Sequence, residues 1–182
     1  MRVKQFVLQV NYVNSFVCYD PHTRHAFLVD CGAFEDALAE FLERQQLELR
    51  FLLLTHSHYD HVDGLGDFRK RFNVPVYAAA QKYGRVVREG ETVPFAGREV
   101  QVLATPGHTP DGLSFYLPPF VFVGDAIFAG AVGGTSARAQ FEEEIGHVWR
   151  KILTLPDETL ILPGHGAPST VGVERRFNPF FH

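Results

Sequence analysis

Four apolar runs in this chain stop abruptly on histidine or aspartate. "FLLLT" (51–55) runs into "HSHYDH", "VQVLAT" (100–105) into "PGHT", "FVFVG" (120–124) into "DAIF", and "LILPG" (160–164) into "HG". Each run reads as a strand, "FLLLT" as one buried on both faces. Loops at the ends of neighbouring strands in an open sheet converge in space, and sites are usually built there. A fold for this chain has to bring those four ends together.

The other segments fill in the layers. "VKQFVLQV", "NSFVCYD", "HAFLVD" and "VPVYAA" read as strands. "GLSFYLPPFVFVGDAIF" reads as two strands joined at Pro118 and Pro119. "FEDALAEFLERQQ", Phe34 to Gln46, places Phe34, Leu38, Phe41 and Leu42 at helical spacing, with acids toward its start. "DGLGDFRKRF" reads as a helix capped at Asp63 or a neighbour. "AQFEEEIGHVWRKILTL" puts Phe141, Ile145, Val148, Trp149 and Ile152 on one helical face. Strands and helices alternate without a linker or repeat. The expectation is therefore one domain over residues 1–182, α/β or α+β, with sheets covered by helices.

Composition narrows the function classes. The net charge is −4 and there is no basic block, which argues against a nucleic-acid partner. Two cysteines, Cys18 and Cys31, do not make a disulfide framework, and a reducing cytoplasm is the expected compartment. The N-terminal stretch has no continuous apolar core of a secretory signal, and no run is long enough to span a bilayer. The expected partner is a small-molecule substrate, not a membrane.

His56 and His58 are two residues apart, so in extended backbone they point to one side. Asp60 and His61 follow as the chain turns, and offer donors to a neighbouring point. With His108, Asp125 and His165 there are seven donors, too many for one ion. They divide between two metals, with one carboxylate bridging. Imidazole and carboxylate without cysteine suit zinc, iron(II) or manganese, and not a closed structural zinc site. Two such ions about 3.5–4 Å apart are the usual two-metal hydrolytic arrangement. Taken singly, Asp125, His108 and His165 read as ordinary turn residues, and only their common position at strand ends argues otherwise. His22, His25, His147 and His182 lack that context and read as surface or packing residues. Cys31 reads as a small buried hydrophobe.

With these residues identified, "THSHYDH" resembles the T-H-x-H-x-D-H signature of the metallo-β-lactamase superfamily. "PGHT", "GDAIF" and "PGHG" resemble its later metal-binding motifs, in the same order. The resemblance covers nearly the whole chain. It implies a four-layer αββα sandwich, with two mixed sheets face to face and metals along one edge. It also implies a ligand set: His56, His58 and His108 for one ion, Asp60, His61 and His165 for the other, and Asp125 between them.

The wording "GDAIFAG", "LPDETLILPGHGAPST" and "ERRFNPFF" is similar to the glyoxalase II-like (hydroxyacylglutathione hydrolase-like) group. That group's C-terminal, glutathione-gripping helical region has no counterpart here. The loop after Asp125 reads "AGAVGGTSARAQ" where relatives show a "GR-D"-like stretch. The resemblance thus implies the shorter, single-domain type. Its expected activity is hydrolysis of a hydroxyacyl thioester by a hydroxide bridging two divalent ions, zinc foremost, with Asp60 orienting the nucleophile. The alternatives are a persulfide dioxygenase with one iron at His56, His108 and Asp125, or another hydrolase of the fold such as a lactonase.

Overall fold

The computed structural model describes residues Met1–His182. Its first sheet is built entirely from the first half of the chain: β1 (Arg2–Val7), β2 (Asn14–Tyr19), β3 (His25–Val29), β4 (Glu48–Leu53), β5 (Val76–Ala78) and β6 (Arg85–Val86), in that spatial order. β1, β2 and β3 pair antiparallel, and β3 to β6 run parallel. Between them lie the helices α1 (Asp36–Arg44), α2 (Tyr59–Val62) and α3 (Leu65–Phe72).

The second sheet comes from the second half: β7 (Thr92–Phe95), β8 (Arg98–Ala104), β9 (Leu113–Leu117) and β10 (Phe120–Gly124). A short ribbon of β11 (Ile127–Phe128) and β12 (Ala131–Val132) follows, then α4 (Arg138–His147), β13 (Leu160–Pro163), β14 (Ser169–Thr170) and α5 (Val171–Phe177). The sheet order is β14-β13-β10-β9-β8-β7, with β10 and β13 parallel and its other neighbours antiparallel.

Three apolar interfaces bind four layers. Phe16, Phe27, Phe51 and Leu53 of the first sheet meet Phe95, Val102, Phe115 and Phe122 of the second. Phe27 sits at the centre, with ring centroids 5.2 Å from Phe51, 4.8 Å from Phe95 and 5.8 Å from Phe122. The outer face of the first sheet, Val17, Leu28 and Leu52, packs on Leu38 and Leu42 of α1 and on Leu65 and Phe68 of α3. The outer face of the second, Val121, Val123 and Ile161, packs on Val148, Ile152 and Val171. This is the αββα sandwich, helices outside and two mixed sheets within. No helix is long and apolar enough to cross a membrane.

Some local readings change. Asp63 does not cap α3: it closes α2, its N–H bonding the Tyr59 carbonyl, and Gly64 occupies the cap position without a side-chain bond. The long helix after residue 138 is α4 continued by a wider turn over Val148–Ile152, and Trp149 is 46% exposed, stacked on Phe181 instead of facing the core. Inserting an extra residue into the helical repeat at that turn swings Trp149 outward while Val148 and Ile152 stay buried against the second sheet.

Candidate metal centre

β4, β8, β10 and β13 end along the same edge, and each delivers its polar residues there. β4 gives way to extended backbone through His58 and then to the α2 turn, so His56 and His58 leave on one side and Asp60 and His61 on the other. His108 lies in the β8–β9 loop, Asp125 directly after β10, and His165 one residue beyond the end of β13, after Gly164. The seven side chains fall into two groups whose inward atoms lie within metal-chelating reach: His56, His58, His108 and Asp125, and Asp60, His61 and His165. His56, Asp60, His61 and Asp125 are buried, whereas His58 is exposed and gives the cluster its open side.

Hydrogen bonds on the outer side of each ring fix which nitrogen faces inward. Thr55 Oγ1 donates to Asp30 Oδ2 at 2.7 Å, so it accepts from His56 Nδ1 at 3.1 Å and leaves His56 Nε2 bare. His108 Nδ1 donates to the Gly134 carbonyl at 2.7 Å. His61 Nδ1 donates to Asp30 Oδ2 at 2.8 Å. The three nitrogens of the first group then crowd together, His58 Nδ1 being 3.1 Å from His56 Nε2 and 3.0 Å from His108 Nε2. A single N–H on His58 serves one of those two lone pairs and leaves the other facing nitrogen. A cation satisfies all three.

Asp125 stands between the groups. Its Oδ2 is 3.5 Å from His108 Nε2, 4.0 Å from His56 Nε2 and 3.6 Å from His165 Nε2, while its Oδ1 is 3.4 Å from His61 Nε2. His61 Nε2 and Asp125 Oδ1 are both buried and complete no hydrogen bond. Orphaned buried polar atoms facing one another are costly unless an ion lies between them. Gly164 makes this close approach possible, because a β-carbon there would collide with Asp125 Oδ1 and come within 2.6 Å of His61 Cε1. On these observations the donor set fits two ions.

The electrostatics say the same. Burial alone would depress His61, but the Asp30 and Asp125 carboxylates outweigh it and raise its pKa to about 10. Burial would raise Asp125, yet His61, His56 and His165 bring it down to about 2. Burial followed by the His61 charge lowers His56 to about 4. Burial opposes ionisation of Asp60, and the Asn11 amide and His61 overcome it and hold its carboxyl below the usual range. In the absence of metal the pocket draws a proton onto its deepest imidazole, as a site arranged for positive charge would.

Two supporting residues, Asp30 and Asn11, were not anticipated. Asp30 takes the Thr55 N–H on Oδ1 and both Thr55 Oγ1 and His61 Nδ1 on Oδ2, and so orients one histidine of each group. It does so at φ 58°, a left-handed conformation that aspartate tolerates better than most residues. Asn11 donates to Asp60 Oδ2 at 2.7 Å, and Asp60 Oδ2 lies 3.3 Å from His165 Nε2. The one available signal was the placement of Asp30 at the end of an apolar strand, where it read as a strand terminator. Cys31 is fully buried in the layer under α1 and α3, with its thiol pushed well above the ordinary range by burial, and lies in the core as expected.

Comparison with known proteins agrees with this geometry. The chain matches the family model described as the metallo-beta-lactamase superfamily over residues 8–85 and 79–165. It is 30% identical to the hydroxyacylglutathione hydrolase GloC of Haemophilus influenzae, over 87% of this chain and 88% of that one. It is 34% identical to the hydroxyacylglutathione hydrolase of Yersinia enterocolitica, covering 78% of this chain but spanning only 57% of that longer relative. Among solved structures, ETHE1 from Myxococcus xanthus superposes with a TM-score of 0.89 at 32% identity, over 98% of this chain and 84% of the other. The BLEG-1 B3 metallo-beta-lactamase gives the same TM-score at 28% identity, over 99% of both chains. Family match, relatives and architecture coincide, and the chain belongs to the metallo-β-lactamase superfamily.

Proposed function

We propose that this chain, a metallo-hydrolase by its family and relatives, acts on thioesters of the hydroxyacylglutathione type. The observation that carries the reading is the pair of complete donor groups joined through Asp125. His56, His58 and His108 would hold one ion, Asp60, His61 and His165 the other, and Asp125 would serve both. Two divalent ions held there would lower the pKa of a shared water from about 15.7 to near 7 and polarise the acyl oxygen.

The chain's own residues do the rest. Asp30 and Thr55 engage the outward Nδ1 atoms of His61 and His56, so that the inward Nε2 atoms would be the ones to face an ion. Asp60, fixed by Asn11, is the carboxylate we assign to orienting the attacking water. The open side at His58 admits the substrate. A thiol of pKa about 8.5 departs as thiolate without a strong general acid. Such a leaving group suits a cluster whose titratable side chains are all engaged as donors. Support for the substrate class comes from GloC, which is named a hydroxyacylglutathione hydrolase and matches along most of its length.

The likeness to ETHE1 gives weight to a second reading, a persulfide dioxygenase with one iron at His56, His108 and Asp125. Metal-analysed protein tested on lactoylglutathione, other thioesters, a lactone and a persulfide separates the two. Two ions and thioester cleavage support the hydrolase. A single iron with oxygen uptake on the persulfide, and no thioester turnover, replaces it with the oxygenase.

A further inference from the structure

Glu144 is a fully buried carboxyl group that none of the chemistry above uses. It lies on α4, where a buried acid without a partner is rare, and neither of its oxygens completes a hydrogen bond. Its side chain fills the space between two loops of the metal centre. On one side is Gly107, the neighbour of His108: a β-carbon there would collide with Glu144 Cβ and lie 2.6 Å from its Cα. On the other is Gly133, where a β-carbon would come within 2.6 Å of Glu144 Oε1 and 2.9 Å of His108 Cβ. The Gly133 N–H lies close enough to the carboxyl to favour its ionised form, without completing a hydrogen bond to it. The next residue, Gly134, supplies the carbonyl that takes the His108 Nδ1 proton. Glu144, the Gly133–Gly134 peptide and His108 thus close a ring of contacts behind the first donor group.

We infer that Glu144 is a positioning residue for His108: it holds the Gly133–Gly134 segment against α4, so that the Gly134 carbonyl accepts His108 Nδ1–H and Nε2 faces the cluster. Burial raises the carboxyl to about 8, with the Asp125 charge adding to it against the Gly133 N–H, so at neutral pH it adds little negative charge behind Asp125. The packing around Gly107 and Gly133 carries the inference, and the charge state is consistent with it. The metal-affinity readout rests on the ligand assignment of His108 above, whereas the ring-proton readout does not.

The test compares Glu144→Gln, which keeps an acceptor for Gly133, with Glu144→Met, which keeps the shape without one. In metal-free protein, NMR of labelled histidine should show a solvent-protected His108 Nδ1–H in the wild type and in Glu144→Gln, and its loss in Glu144→Met. Chelator competition should show metal affinity falling about 10–100-fold in Glu144→Met and staying near wild type in Glu144→Gln. A folded Glu144→Met with the ring proton still protected and affinity unchanged overturns the inference. So does rapid solvent exchange of the Gly133 N–H in the unmodified protein, which needs no variant. If the ring proton responds to Glu144 but the wild type binds no metal, the positioning role stands and the ligand assignment fails.

Discussion

Asp30→Asn removes one charge and one acceptor oxygen while keeping the shape of the side chain. The residue is 3% exposed and accepts from Thr55 N at 2.8 Å, Thr55 Oγ1 at 2.7 Å and His61 Nδ1 at 2.8 Å. Asparagine has one acceptor oxygen, which the Thr55 backbone N–H engages. Its amide nitrogen then meets the His61 Nδ1–H, donor against donor. His61 escapes by moving its proton to Nε2, which points it at Asp125 Oδ1, where the second ion is proposed to sit. A hydrogen bond to a charged partner contributes about 1.5–3 kcal/mol. Loss of a group that orients a histidine ligand typically costs about 10–100-fold in metal affinity, roughly 1.4–2.7 kcal/mol, so the two estimates agree. Titration against a chromogenic chelator should therefore show both ions weakened, the one at His61 directly by about 10–100-fold and the one at His56 through Thr55. Two ions bound as tightly as in the wild type, with the His61 proton still on Nδ1 by NMR, would refute the reasoning.

Three further outcomes are expected. Asp125→Ala should lose both ions and thioester cleavage together, as measured by elemental analysis and a thiol-release assay, and full activity in that variant contradicts the shared-carboxylate scheme. Phe27→Ala, at the centre of the three-ring contact between the sheets, should cost about 3–5 kcal/mol in urea unfolding while leaving turnover per folded molecule intact. In metal-free protein His61 is raised from 6.5 to about 10, so its contribution to stability is full below about pH 6.5 and disappears as pH rises through 10. Urea midpoints at pH 6, 8 and 10 should decline across that window, and a flat profile in metal-free protein would show that the Asp30–His61 pair does not act as described.

The donor cluster was legible in the sequence because its residue types are out of place at strand ends, and four such places occur in one chain. The sandwich followed from a resemblance carried by those same residues more than from periodicity. Short elements were not legible: β6, β11, β12 and β14 are two residues each, too brief for alternation to register. α5 begins at Val171, behind a Thr170 cap, inside "PSTVGVERRF", where five polar or charged residues and a glycine obscure any apolar stripe. The supporting residues were hidden for a different reason. Asp30 meets Thr55 and His61 across 25 and 31 positions, and Asn11 meets Asp60 across 49, so no local window contains the pair. An isolated aspartate or asparagine reads as a turn former until its partner arrives from elsewhere in the chain.

The two sheets are contiguous in sequence, residues 2–86 and 92–170, and the chain crosses between them once. The first half carries four of the seven donors and the second half three, with Asp125 in the second half approaching His56 and His61 of the first. Neither half holds a complete donor group for the first ion or for the second. Chelation therefore reports on apposition: separately expressed halves should each bind metal weakly, and mixing them should restore tight binding only to the extent that they reassociate. Because an ion that binds only the assembled state stabilises it by mass action, metal supply becomes a control on whether the halves stay together.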